Sequence, residues 1–157
     1  MKLSDFLKPI SVLQKTNWGR SENAEVKGIA YHSKKVEPGT LFVALAGVKT
    51  DGKKYITEAI QRGAMAIVLE GSFAPDVSIP QILVPNAREA LAQMSAFLFS
   101  NPSQNLKLFG LTGTNGKTTL TYLLESFFSS TPDCAGVIGT INTRYGQKII
   151  PASHTTP

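Results

Sequence analysis

Apolar residues between positions 41 and 85 come as short continuous runs: "LFVALAG" at 41–47, "MAIVLE" at 65–70 and "QILVP" at 81–85. The first is bounded by Pro38-Gly39 and Gly47. Runs of this length between turn residues predict buried strands. In "DGKKYITEAIQRGA" the pattern changes, and Ile56, Ala59 and Ile60 fall at helical spacing with Gly63 placed to cap the C-terminus. A second helix is predicted from Asn86. Its side chain caps the first turn, Glu89 three residues on completes a capping box, and Ala87, Leu91, Met94 and Leu98 line one face. Strands alternating with helices predict an α/β unit. "SNPSQN" at 100–105 is the best linker in the chain, and it divides the sequence into domains at 1–102 and 103–157.

Beyond the linker, "LKLFGLT" at 106–112 predicts a strand that runs into a glycine-rich loop. Lys117 to Ser130 follow as a helix with Leu120, Leu123, Leu124, Phe127 and Phe128 in a single apolar stripe. "CAGVIGT" at 134–140 is the next predicted strand. Strand, loop, helix and strand in this order predict a βαβ unit with a parallel sheet. The fold class expected for the chain is therefore α/β: a small N-terminal α/β domain followed by the opening βαβ of a phosphate-loop domain.

The loop itself reads "LTGTNGKTTL" at 111–120. It misses the usual Gly-x4-Gly-Lys-Ser/Thr spacing, because Leu111 stands where the first glycine belongs. Its glycines are instead Gly110, Gly113 and Gly116, three apart. The setting is nevertheless that of a phosphate loop. Amides at a helix start lack intrahelical partners, and the dipole there favours negative charge. Gly113 and Gly116 admit a close backbone approach to phosphate oxygens. Lys117 would reach the β- and γ-phosphates, and the Thr118 hydroxyl would ligate Mg²⁺. The competing reading is a glycine-rich turn with an exposed lysine.

Composition narrows the alternatives. Hydrophobic residues at 42% and charged residues at 17% describe a globular chain of 157 residues. The net charge of +5 invites a nucleic-acid reading, but the basic residues are scattered apart from Lys34-Lys35 and Lys53-Lys54, so no nucleic-acid partner is expected. The single cysteine, Cys134, sits in an apolar run and is expected to pack in the core. No stretch approaches a membrane span and no signal peptide opens the chain, so a cytoplasmic protein with no membrane partner is expected.

"TGTNGKTT" at 112–119 resembles the nucleotide loop of the Mur ligases, ATP-dependent amide-bond ligases of peptidoglycan precursor synthesis, whose relatives the folylpolyglutamate synthases carry a similar loop. "YHSKKVEPGTLFVALAGVKTDGKKYITEAIQRGAMAIVLE" at 31–70 resembles the UDP-binding domain of two branches of that family. One branch adds the third amino acid to UDP-N-acetylmuramoyl-L-alanyl-D-glutamate, and the other adds D-alanyl-D-alanine. Thr114-Asn115 in the loop, "GVIGTINTRYG" at 136–146 and "HTTP" at 154–157 are more similar to the first.

The resemblance implies ATP and Mg²⁺ as cofactors, bound by Gly113, Thr114, Asn115, Gly116, Lys117, Thr118 and Thr119, with Thr118 as the metal ligand. Lys117 is the one catalytic residue it places in this chain. It implies a UDP-N-acetylmuramoyl-dipeptide and an amino acid, diaminopimelate or lysine, as partners of a monomeric enzyme. Tyr31, Ser33, Val48, Lys49, Thr50, His154, Thr155 and Thr156 would contact the UDP-muramoyl substrate. Without the resemblance, Ser33 and Thr50 have a second reading as loop hydroxyls capping backbone groups, and Lys49, Lys53 and Lys54 as solvated surface. His32-Ser33-Lys34 stands where the family often has Asp-Ser-Arg, and lysine lacks the planar two-donor fork of arginine. Family enzymes are much longer, with further metal ligands and an amino-acid-binding domain downstream. The expectation is therefore a partial chain, inactive in ligation by itself. The alternatives are the D-alanyl-D-alanine-adding branch and a non-catalytic nucleotide-binding module.

Overall fold

The structure is a computed structural model that describes residues 1–47, 50–129 and 135–152. The chain divides into two compact units, Met1–Leu106 and Lys107–Pro157. The α/β class read from the sequence holds.

In the first unit a five-stranded sheet has the order β1-β5-β4-β3-β2. Strands β2 (Gly28–Ala30), β3 (Thr40–Val43), β4 (Ala64–Glu70) and β5 (Gln81–Val84) are parallel. The short edge strand β1 (Gln14–Thr16) pairs antiparallel with β5, Gln14 opposite Leu83. The central strands read as unbroken apolar runs because both faces are covered. Leu41 and Val43 of β3, with Ala66 and Val68 of β4 and Ile82 and Val84 of β5, pack beneath α1 (Leu3–Phe6) and α3 (Ala87–Leu98). Phe42, Ile67, Leu69 and Leu83 point the other way, toward Ile56 and Ala59 of α2 (Ile56–Gln61). The two-residue period of the strands thus feeds two cores at once.

Three parallel strands end in connections that gather on one edge of this sheet. The expected strand 41–47 stops at Val43. Ala44 continues the ladder by one bond to the Val68 carbonyl, and the chain then turns, Gly52 N donating to Leu45 O at 2.8 Å and Gly47 N to Thr50 O at 3.0 Å. A single 3₁₀ turn at Gly52–Tyr55 leads into α2. At the end of α2, Gly63 at φ +96° donates to Ile60 O, as a C-terminal glycine should. The predicted cap of α3 is present, with Asn86 Oδ1 accepting from the amides of Arg88 and Glu89. The reciprocal arm differs from a capping box, because Glu70 at the end of β4 accepts from Ala87 N at 2.9 Å while Glu89 accepts from Gln93.

The second unit holds α4 (Lys117–Ser129) and three strands, β6 (Gly136–Ile138), β7 (Asn142–Tyr145) and β8 (Lys148–Pro151). They form an antiparallel meander in that order. This corrects two expectations. Residues 106–112 form no strand, and β6 pairs with β7 rather than with a parallel neighbour. The physical reason is the want of a ladder. An apolar run becomes a strand only where another strand takes its backbone groups, and none among the described residues does so here. Leu108 and Phe109 are accordingly 71% and 62% exposed, although the Phe109 ring lies 5.4 Å from that of Phe128 on α4. Of the stripe on α4, Leu120, Leu123 and Phe127 are exposed, and Leu124 and Phe128 are half-buried. Cys134 lies outside the described residues.

Candidate functional site

The glycine loop leads directly into α4, whose first residue is Lys117. Gly116 has φ +77°, a conformation that residues with a Cβ rarely adopt, and the space where a Cβ would stand is empty. The first helical bond runs from Leu120 N to Gly116 O at 2.9 Å. The amides ahead of it have no carbonyl one turn back. α2 and α3 carry Glu58 and Glu89 in their first turns, whereas the first turn of α4 carries no acidic residue. The positive end of its dipole is therefore left for an anion. Lys117 Nζ folds back to donate to the Gly113 carbonyl. Gly113, Thr114, Asn115, Gly116, Thr118 and Thr119 are solvent-exposed, so the structure brings the seven predicted loop residues onto one accessible turn.

Lys117 and Thr118 also line a cleft of about 140 Å³ with Thr121 and Tyr122 of the same helix and Ile138–Asn142 and Arg144 of the meander. Small-molecule sites usually measure about 300–1,000 Å³, so the cleft suits a phosphate-sized group rather than a whole nucleotide. Arg144, which lines the cleft, is held by an ion pair with Glu125. Arg144 Nε donates to Glu125 Oε1 at 2.8 Å and Oε2 at 2.7 Å, and Nη2 lies 2.6 Å from Oε2. Nη1 donates to Asn142 Oδ1 at 2.9 Å, and the guanidinium rests 4.0 Å from the Tyr122 ring centre. The Glu125 carboxylate raises the pKa of Arg144 against the opposing effect of burial. Sequence reading passed over this pair. Its members are 19 residues apart, and no local periodicity links them.

For a bound group, the donors of the loop suit phosphate: backbone amides, one ammonium and hydroxyls, with no carboxylate in the first turn. For Mg²⁺ they offer the Thr118 hydroxyl. Among the described residues no group of three His, Cys, Asp or Glu is placed to hold a metal ion.

In the first unit, Tyr31 and Ser33 follow the C-terminal end of β2 and Thr50 follows that of β3, so adjacent parallel strands bring them to one sheet edge. Ligands of open α/β sheets bind outside the carboxyl ends of strands. Tyr31 is 55% exposed, whereas Ser33 is only 4% exposed. The Ser33 hydroxyl faces Glu58 and is the largest influence holding that carboxyl below its usual value, with Arg62 adding to it against a raising effect of burial. Thr50 Oγ1 meets the Tyr55 hydroxyl at 3.4 Å. His32 Nδ1 accepts from Lys34 N at 3.2 Å and caps a 3₁₀ turn. Two cations that sequence reading gave no site role tie this edge together: Arg88 Nη2 donates to Ala46 O at 3.1 Å, and Lys53 Nζ to Ser72 O at 3.1 Å. Val48, Lys49, His154, Thr155 and Thr156 lie outside the described residues.

Comparison with known proteins gives both units the same relatives. Residues 25–98 match the Mur ligase family, catalytic domain, and residues 111–157 match the Mur ligase middle domain. The chain is 39% identical over 157 residues to a UDP-N-acetylmuramoyl-L-alanyl-D-glutamate--2,6-diaminopimelate ligase of Caldanaerobacter subterraneus subsp. tengcongensis, a match over 100% of this chain and 32% of that protein. A solved structure of a ligase with the same name superposes with a TM-score of 0.70 at 25% identity, over 100% of this chain and 31% of that one. A MurF ligase from Thermotoga maritima, solved in complex with ADP, superposes with a TM-score of 0.51 at 28% identity, over 73% of this chain and 25% of that one. The chain thus spans about a third of the length of the curated relative it matches. With both units matched and an alignment running its full length, the chain belongs to the Mur ligase family.

Proposed function

We propose that the chain supplies the substrate-binding and phosphate-loop portions of an ATP-dependent ligase that adds an amino acid to UDP-N-acetylmuramoyl-L-alanyl-D-glutamate. The observation that carries this reading is the loop Gly113–Thr119, opening on a helix whose first turn has no acid to compete for the anion. Its similarity to a ligase named for 2,6-diaminopimelate favours that amino acid over lysine. In this reading the first unit is the UDP-muramoyl-binding domain, with Tyr31 and Thr50 at the sheet edge, and the second unit opens the ATP-binding domain.

When bound, ATP with Mg²⁺ supplies the phosphoryl group that makes a carboxylate reactive toward an amine. The chain's own residues bind and orient. The amides of Gly113 to Thr119 would hold the phosphate, and Gly116, with open space where a Cβ would stand, would leave room for it. Lys117, which donates to the Gly113 carbonyl, would turn to the phosphate charge, and the Thr118 hydroxyl would be the ligand offered to Mg²⁺. Ser33 orders the edge through Glu58 instead of touching substrate.

Titration of the purified chain with ADP and Mg²⁺ tests the reading. Saturable binding that Lys117→Ala weakens by about a hundredfold is expected. Equal affinity of wild type and Lys117→Ala would overturn it.

A further inference from the structure

Arg144 is the only buried residue among the described residues of Lys107–Pro157. A buried cation would ordinarily be a liability there, yet this one hydrogen-bonds through Nε and Nη1, while Nη2 stands against the Glu125 carboxylate without a hydrogen bond of its own. Glu125 takes Nε and faces Nη2, Asn142 takes Nη1, and the Tyr122 ring covers one face of the guanidinium. Thr118, Tyr122 and Glu125 fall at i, i+4 and i+7 on α4, so the helix face that grips Arg144 also carries Thr118. Asn142 stands at the start of β7, after the turn that forms the opposite wall of the cleft. The guanidinium therefore joins both walls just behind Lys117 and Thr118. Its planar fork is the feature that permits this, since an ammonium cannot serve Glu125 and Asn142 in fixed directions while lying flat on a ring.

We infer that Arg144 is a positioning residue for the phosphate loop, its guanidinium tying Tyr122 and Glu125 of α4 to Asn142 beside the β6–β7 turn so that Lys117 and Thr118 face one cleft. The inference rests on the nucleotide reading of Gly113–Thr119, and it extends that reading to a residue that touches neither phosphate nor metal.

The test uses the whole chain, with ADP and Mg²⁺ as the probe and amide exchange as an independent readout. Arg144→Met is expected to weaken ADP binding about tenfold. Arg144→Lys should recover only part of that loss. In Arg144→Met the Leu120 amide, bonded to Gly116 O, should exchange faster while the β7–β8 ladder amides keep their rates. Wild-type affinity in Arg144→Met, with binding lost in Lys117→Ala, overturns the inference. So does full recovery by Arg144→Lys, or ladder and Leu120 amides accelerating alike, which would make Arg144 a general support of the unit. If the wild-type chain itself takes up no ADP, the nucleotide reading fails, and the Leu120 exchange alone decides whether Arg144 positions the loop.

Discussion

Ser33 carries a hydroxyl that family resemblance offers to a ligand and that the fold offers to Glu58. Burial favours Glu58, because a side chain only 4% exposed has little left to present to solvent. The sign of the resulting pH dependence follows from the direction of the shift. Glu58 is held below its ordinary value of 4.5, so its contribution is present above that value and is lost as pH falls through the folded-state pKa. Solvent screens the partly exposed carboxylate and keeps the contribution small. Ser33→Ala should raise the Glu58 pKa toward 4.5, read by carbon-13 titration of the side-chain carboxyl. An unchanged titration would return Ser33 to the role of substrate contact. At this scale the sequence was most legible where chemistry is local. Lys117, Thr118 and the glycines beside them declare themselves within a few positions. Arg144 does not, because its partner Glu125 lies on another element, and only the closed fold shows the pair.

Helix α3 begins with two side-chain acceptors, as a capping box would give, but the second comes from β4 instead of from the third residue of the helix. Asn86 takes the Arg88 and Glu89 amides, and Glu70, arriving from the end of β4, takes the amide of Ala87. Asn86→Ala should cost about 1 kcal/mol in urea denaturation. The neighbouring turn is less forgiving. A Cβ on Gly52 would stand 2.6 Å from Leu45 N and 2.7 Å from Leu45 O, backbone atoms that cannot rotate aside. Gly52→Ala should therefore cost about 1–3 kcal/mol by forcing the β3–α2 connection open, measurable in the same denaturation. Elements were legible in proportion to how much of their signal is side-chain burial. β3, β4 and β5 are buried on both faces and read as apolar runs. β1 and β2 are three residues each at the sheet edges, too short to show a period. Residues 106–112 show the opposite error, an apolar run with the composition of a strand and no partner to make it one.

The two units differ in what holds them together, and their stabilities should differ with it. Every buried apolar side chain among the described residues belongs to Met1–Leu106, in the clusters on either face of the parallel sheet. The described part of Lys107–Pro157 buries one residue, an arginine, and leaves Leu108, Phe109, Leu123 and Phe127 exposed. Apolar burial is the main favourable term in folding, and an ion pair returns little beyond its own desolvation cost. Local opening in the second unit should then need far less free energy than opening the sheet of the first. Native-state hydrogen exchange should find the slowest amides in β3, β4 and β5, and limited proteolysis should remove residues beyond 106 while the first unit persists. Met94 sharpens the comparison. It is fully buried under α3 against the sheet, and Met94→Ala should cost about 2–5 kcal/mol. That loss should appear in the slow amides of β3 to β5 and leave the α4 amides at their wild-type rates. Amides of α4 accelerating with those of the sheet would show one cooperative unit, and the separate cores would no longer account for the stability of the chain.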